Sequence, residues 1–143
     1  MSAKRPWAIL LLLAVLLLSV AGCSSPYRGR FEYDASLVSE VSFVWVDSDG
    51  TVTKLESLES EQYPSFFRSF SQMRRHEYWN DPFDYVQGSA ILITLQSGDY
   101  HLINDYCTIR CIDGKAEDTL EYYGHEEFME FWQQYCSQDY ILP

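Results

Sequence analysis

The sequence predicts an α+β domain: an antiparallel sheet of about four to six strands with two amphipathic helices packed on one face. Three observations carry that expectation. Apolar side chains alternate along residues 41–46 and again along 91–95, the period of a strand. Two other stretches switch to helical spacing, with Phe66, Phe67, Phe70 and Met73 in one and Phe128, Phe131, Trp132 and Tyr135 in the other. Asp- and Gly-containing turns separate the strand-like runs.

The elements follow in order. Val41, Phe43 and Trp45 alternate with Ser42, Val44 and Val46, which reads as a strand. Asp47-Ser48-Asp49-Gly50 then leads into Thr51–Leu55, so the two runs make a hairpin. Residues 60–75 carry the first helical stripe, with Pro64 tolerable in a first turn. Residues 76–88 are aromatic and turn-rich, and Asn80-Asp81-Pro82 is their clearest break. A second hairpin spans Ile91–Leu95, the turn Ser97-Gly98-Asp99, and Tyr100–Ile103. Tyr106–Ile112 reads as a third strand of this half, ending at Asp113-Gly114-Lys115, and Thr119–Tyr123 as a fourth. Glu126–Cys136 is the second helix, with Glu126 and Glu127 in the first turn, where negative charge suits the helix dipole. Hairpin-then-helix occurs twice, so either a degenerate duplication or convergent patterning accounts for it. One sheet under both helical stripes would bury them together. Trp45 lies on the apolar stripe of the first strand and Trp132 on that of the second helix, and both are expected in the core.

Size and charge bound the rest. The chain has 143 residues, of which 121 follow Gly22. A domain of that size buries roughly two-thirds of its unfolded surface and folds without a metal or a disulfide. Aromatic residues make up 16%, including 11 Tyr. The formal charge is −11, and loss of Lys4 and Arg5 with a leader would take it to −13. That balance excludes a basic footprint for nucleic acid and disfavours lying on an anionic lipid surface. Cationic partners are compatible with it, although acidity by itself serves solubility.

Residues 1–23 divide into three parts. Lys4 and Arg5 give a positive start, Ala8–Leu18 is an unbroken apolar run of eleven residues, and small residues follow. A spanning helix needs about 20 apolar residues, and even Trp7–Gly22 supplies sixteen. The pattern is that of a secretory signal peptide. Its last four residues, Val20-Ala21-Gly22-Cys23, resemble the lipobox of bacterial lipoproteins. The resemblance implies cleavage between Gly22 and Cys23 and a diacylglyceryl thioether on the Cys23 sulfur. Two acyl chains hold a protein at a bilayer where one does not. It also implies an organisation of 1–22 as signal peptide, 23–30 as lipidated Cys and tether, and 31–143 as one α+β domain. The tether, Ser24–Arg30, reaches at most about 23 Å. The resemblance places the protein at the cell membrane or the outer membrane, on the extracytoplasmic side.

The chemical candidates are few. Cys107, Cys111 and Cys136 remain after Cys23. Outside the cytoplasm a bridge is permitted. Cys107 and Cys111, four residues apart on one strand, would stand about 13 Å apart, beyond the roughly 7 Å a disulfide allows. The expected pairing is therefore Cys136 with Cys107 or Cys111, against three buried thiols as the alternative. His101, Cys107, Cys111, His125 and Cys136 lack the close spacing of a zinc site. His125-Glu126-Glu127-Phe128-Met129 begins like HExxH, but Met129 stands where the second imidazole would be. His125 then reads as a solvated helix-start residue. Asp47–Gly50 lacks the Gly and Glu positions of a calcium loop. There is no GxSxG, SxxK or phosphate-cradling glycine run.

What remains is an aromatic cluster. Tyr78, Trp79, Phe83 and Tyr85 crowd an irregular segment where no period requires burial, which makes them the candidate binding surface. The expectation is a non-enzymatic binding or accessory module of the cell envelope with no cofactor. It is held by membrane lipid through Cys23 and meets an envelope protein or a wall component. An envelope enzyme would instead show a pocket of convergent polar groups, and a structural spacer neither feature. Mass spectrometry of the native product is expected to find a chain beginning at an acyl-modified Cys23. An intact leader, or a free Cys23 thiol on secreted protein, would contradict the lipobox reading.

Overall fold

The computed structural model describes residues 33–77, 86–119 and 121–142. Its elements are β1 (Val38–Val46), β2 (Val52–Ser57), α1 (Tyr63–Gln72), β3 (Arg75–Glu77), β4 (Gly88–Leu95), β5 (Tyr100–Ile103), β6 (Thr108–Ile112), β7 (Lys115–Asp118), β8 (Glu121–Tyr123) and α2 (His125–Tyr135). Six strands form one antiparallel sheet in the order β2-β1-β4-β5-β6-β7. β3 and β8 pair with each other in a second, two-stranded sheet. The expected α+β class and antiparallel sheet are both present.

Local chemistry sets several boundaries. Ile112 pairs with Lys115 across Asp113 and Gly114, whose φ angles are 51° and 75°. A two-residue hairpin turn needs this left-handed pair, and Gly114 adopts it without a Cβ penalty. Pro64 sits in the first turn of α1, where its missing N–H breaks no helical bond. A 3-10 turn at Ser60–Gln62 precedes it, so the helical period seen across 60–75 becomes a regular helix only over Tyr63–Gln72.

β1 lies between β2 and β4, and both of its faces are buried. Val41 and Phe43 enter one apolar cluster, Val44 and Val46 another, and none is more than 2% exposed. The larger cluster joins Val41, Phe43, Ile91, Ile93 and Ile103 to aromatic residues of both helices. The Phe43 ring lies 6.4 Å from Phe66 of α1 and 4.9 Å from Trp132 of α2, both edge-on. Phe66 and Phe131 stand 5.0 Å apart. Edge-on aromatic pairs add to the stabilisation from burial alone, by about 0.5–1.5 kcal/mol each. The smaller cluster gathers Val44, Val46, Val86, Ala90, Leu102 and Cys107.

Three expectations change. Trp132 is fully buried, but Trp45 is half-exposed. It lies near the end of β1, and its indole N–H donates to Asp47 Oδ1 at 2.8 Å. The strand expected at 119–123 is shorter, and it pairs with β3 in the small sheet rather than joining the large one.

The third change concerns the bridge from Cys136 to Cys107 or Cys111, which is not formed: all three are buried and none is in a disulfide. Cys136 follows α2 and packs in the larger cluster, its thiol 3.7 Å from Glu56 of β2. Cys111 is on β6, four strand spacings from β2, or about 19 Å. Cys107 belongs to the other cluster. Burial pushes the Cys136 thiol up to about 11, which keeps it protonated and unreactive.

Candidate functional site

Cys23, expected to carry the lipid, Gly22, expected at the cleavage position, and the aromatic residues Tyr78, Trp79, Phe83 and Tyr85 lie outside the described residues. The structure does define the corner to which the chain returns after residue 85. This is the β5–β6 connection, Asn104-Asp105-Tyr106.

Asn104 is fully buried, and its side-chain oxygen accepts from the N–H groups of Tyr106 and Cys107 at 3.2 and 2.9 Å. That closes the corner as an Asx-type turn. Its amide also donates to the Gln87 carbonyl at 3.1 Å. The Tyr106 hydroxyl donates to the same carbonyl at 2.7 Å and accepts from Gln87 N–H at 3.0 Å. Val86 beside it packs into the smaller core cluster. Residues 86 and 87 are thereby held at a fixed point.

Asp105 ties that corner to two distant parts of the chain. Its carboxylate is buried, at 7% exposure. The Tyr140 hydroxyl donates to Oδ1 at 2.6 Å, and His125 Nδ1 lies 2.9 Å from Oδ2. The Asp105 carbonyl accepts from Tyr123 N–H at 2.8 Å. Burial and the neighbouring carboxylate push the Tyr140 phenol well above its ordinary value, so it remains a donor. A carboxylate only accepts, so the His125 proton facing it sits on Nδ1, and a metal ion could bind only through Nε2. His125 begins α2, and its side chain is 44% exposed. The tail after Tyr140 is held as well: Ser89 N–H donates to the Ile141 carbonyl at 3.0 Å, and Ile141 N–H donates to Ser89 Oγ at 2.9 Å.

A second polar group joins buried His101 of β5 and buried Glu121 of β8 to half-buried partners. The Tyr33 hydroxyl and His101 Nδ1 are hydrogen-bonded at 2.5 Å. His101 is 6% exposed and faces Arg110 across the β5–β6 register. Glu121 of β8 is 4% exposed and bonds Arg75 of β3 at 3.0 Å through Oε1, while its Oε2 has no partner. Burial, reinforced by Arg110, lowers His101 to about 4. Burial raises Glu121 against the pull of Arg75. Burial thus keeps His101 neutral near pH 7 as a latch on the Tyr33 hydroxyl, while Glu121 is paired with Arg75.

Among the described residues no three His, Cys, Asp or Glu side chains converge as a metal site. The sequence reading placed His125 correctly at a helix start but missed its carboxylate partner. Asp105 and Tyr140 stand 20 and 15 residues away in opposite directions, and no local period links them. Comparison of the chain with protein-family models, with curated proteins and with solved structures finds no match.

The His101 latch has a pH signature. Its folded value is depressed from 6.5, so the unfolded chain binds the extra proton first as pH falls. Stability contributed by neutral His101 is therefore complete above about 6.5 and declines towards pH 4, by on the order of 3 kcal/mol. Glu121 acts with the opposite sign, because acidification relieves the cost of its burial. Urea denaturation from pH 7 to 4, compared with a Tyr33→Phe/His101→Phe variant, isolates the His101 contribution. The unchanged chain should lose more stability than the variant across that window, and parallel curves would contradict the latch.

Proposed function

We propose that this protein is an extracytoplasmic lipoprotein held at the bilayer by a diacylglyceryl thioether on Cys23. In this reading its α+β domain works as a binding or accessory module of the cell envelope, without catalysis. The observation that carries it is the junction at Val20-Ala21-Gly22-Cys23, which follows an apolar run too short to span and precedes a polar tether. Among the described residues no helix is long and apolar enough to cross a membrane.

The domain supplies the rigidity that such a module needs. Both helices lie on one face of the six-stranded sheet in this account, which is supported by the aromatic contacts of Phe43 with Phe66 and Trp132. The contact surface is the segment bearing Tyr78, Trp79, Phe83 and Tyr85. It is bracketed by β3, paired to β8, and by Gln87, gripped by Asn104 and Tyr106. Fixed flanking residues reduce the entropy lost on binding. The acidic surface selects against like-charged partners. The partner is an envelope protein or a wall component, not nucleic acid.

A photo-crosslinker placed at Trp79 or Phe83 in the native host should capture one envelope component. Replacing Tyr78, Trp79, Phe83 and Tyr85 by Ser should abolish capture by a probe placed elsewhere on the domain, while the fold persists by circular dichroism. Undiminished capture by that variant would remove the segment from the interface.

A further inference from the structure

We propose that His125 and Met129 form a binding site for a soft monovalent metal ion, cuprous copper. Three features of α2 and its surroundings lead there. The first is the state of the imidazole. His125 Nδ1 is held 2.9 Å from the Asp105 carboxylate, and Asp105 is itself buried and bonded by Tyr140 at 2.6 Å. A ligating histidine commonly has this arrangement, with one ring nitrogen bonded to a carboxylate that orients the ring and raises the basicity of the other. His125 is the exposed histidine of the domain, whereas His101 is buried.

The second feature is Met129, four residues on. Residues at i and i+4 lie one above the other on a helix, and a long side chain at i+4 leans back over the turn before it. Met129 is half-exposed and is not among the side chains of either core cluster. A thioether kept out of the core, one turn beyond an oriented imidazole, is placed to share a ligand with it.

The third is the donor set. An imidazole nitrogen and a thioether sulfur are a soft pair that suits Cu(I), while Zn(II) requires further N, S or O donors. Glu127, a carboxylate in the same turn, is engaged with the Arg74 N–H at 3.1 Å. Binding forms two coordinate bonds, Nε2–Cu and Sδ–Cu. Nδ1 keeps its proton, and no electron is transferred. The site uses neither the lipid on Cys23 nor the 78–85 segment.

The test is anaerobic titration of the full chain in detergent with Cu(I), in competition with bicinchoninate. One Cu(I) per chain is expected to leave the competitor. His125→Gln and Met129→Leu should each weaken binding by more than about tenfold. Asp105→Asn, acting through ring orientation, should weaken it by about 10- to 100-fold. Zn(II) should bind at least about tenfold more weakly than Cu(I). Circular dichroism checks that each variant is folded, and His125→Gln and Met129→Leu alter side chains outside the core. Failure to take Cu(I) from the competitor overturns the site. So does unchanged affinity in either of those two folded variants, or Zn(II) bound as tightly as Cu(I).

Discussion

A buried carboxylate at the turn between β5 and β6 is the constraint on which the described end of this domain depends. Taking Asp105 out of water costs several kcal/mol unless its oxygens find donors. Here they find two, His125 Nδ1 at the start of α2 and the Tyr140 hydroxyl in the C-terminal tail. A hydrogen bond to a charged group contributes about 1.5–3 kcal/mol, and an abandoned buried charge costs more. The energetics therefore run in one direction: the start of α2 and the C-terminal tail must both reach the corner, or the carboxylate is stranded. Asn104 and Tyr106, on either side, grip Gln87. Three consecutive residues thus collect three separate stretches of chain, at Gln87, at Tyr123 and His125, and at Tyr140.

That corner can be fixed because the sheet behind it cannot yield. β1 is buried on both faces, and its Phe43 meets rings from both helices. Close-packed interiors transmit displacement rather than absorb it, so side chains anchored to such a sheet keep their positions. The same rigidity explains how a polar group as costly as Tyr33–His101–Glu121 persists. Its members are held un-ionised or paired by strands that pack around them. A small domain with this much aromatic packing requires no disulfide, and its three described cysteines form none.

The legibility of the fold followed the range of the interactions. Periodicity is local, so the strand at 91–95, the helix carrying Phe128 and Phe131, and the Asp113-Gly114 turn could all be read from short windows. β3 could not. Arg75–Glu77 has no apolar alternation, and it is a strand only because β8 lies beside it. Trp45 shows the limit of a stripe: it shares parity with Val41 and Phe43 but is half-exposed near the end of β1, and its indole N–H donates to Asp47. The cysteine pairing failed because strand order is non-local. β4 inserts between β1 and β5, and nothing in the spacing of Cys111 and Cys136 records how many strands separate them. The Asp105 network was invisible for the same reason, although His125 had drawn attention through its resemblance to half of a metal motif.

Amide hydrogen exchange of an Asp105→Ala variant tests most directly whether this corner organises its end of the domain. The account predicts sharply faster exchange at Tyr123, Ser89 and Ile141, whose bonds depend on the corner and on the tail it anchors, with β1 amides such as Phe43 slowed as before. Protection unchanged at Tyr123, Ser89 and Ile141, or lost equally throughout the sheet, would contradict it.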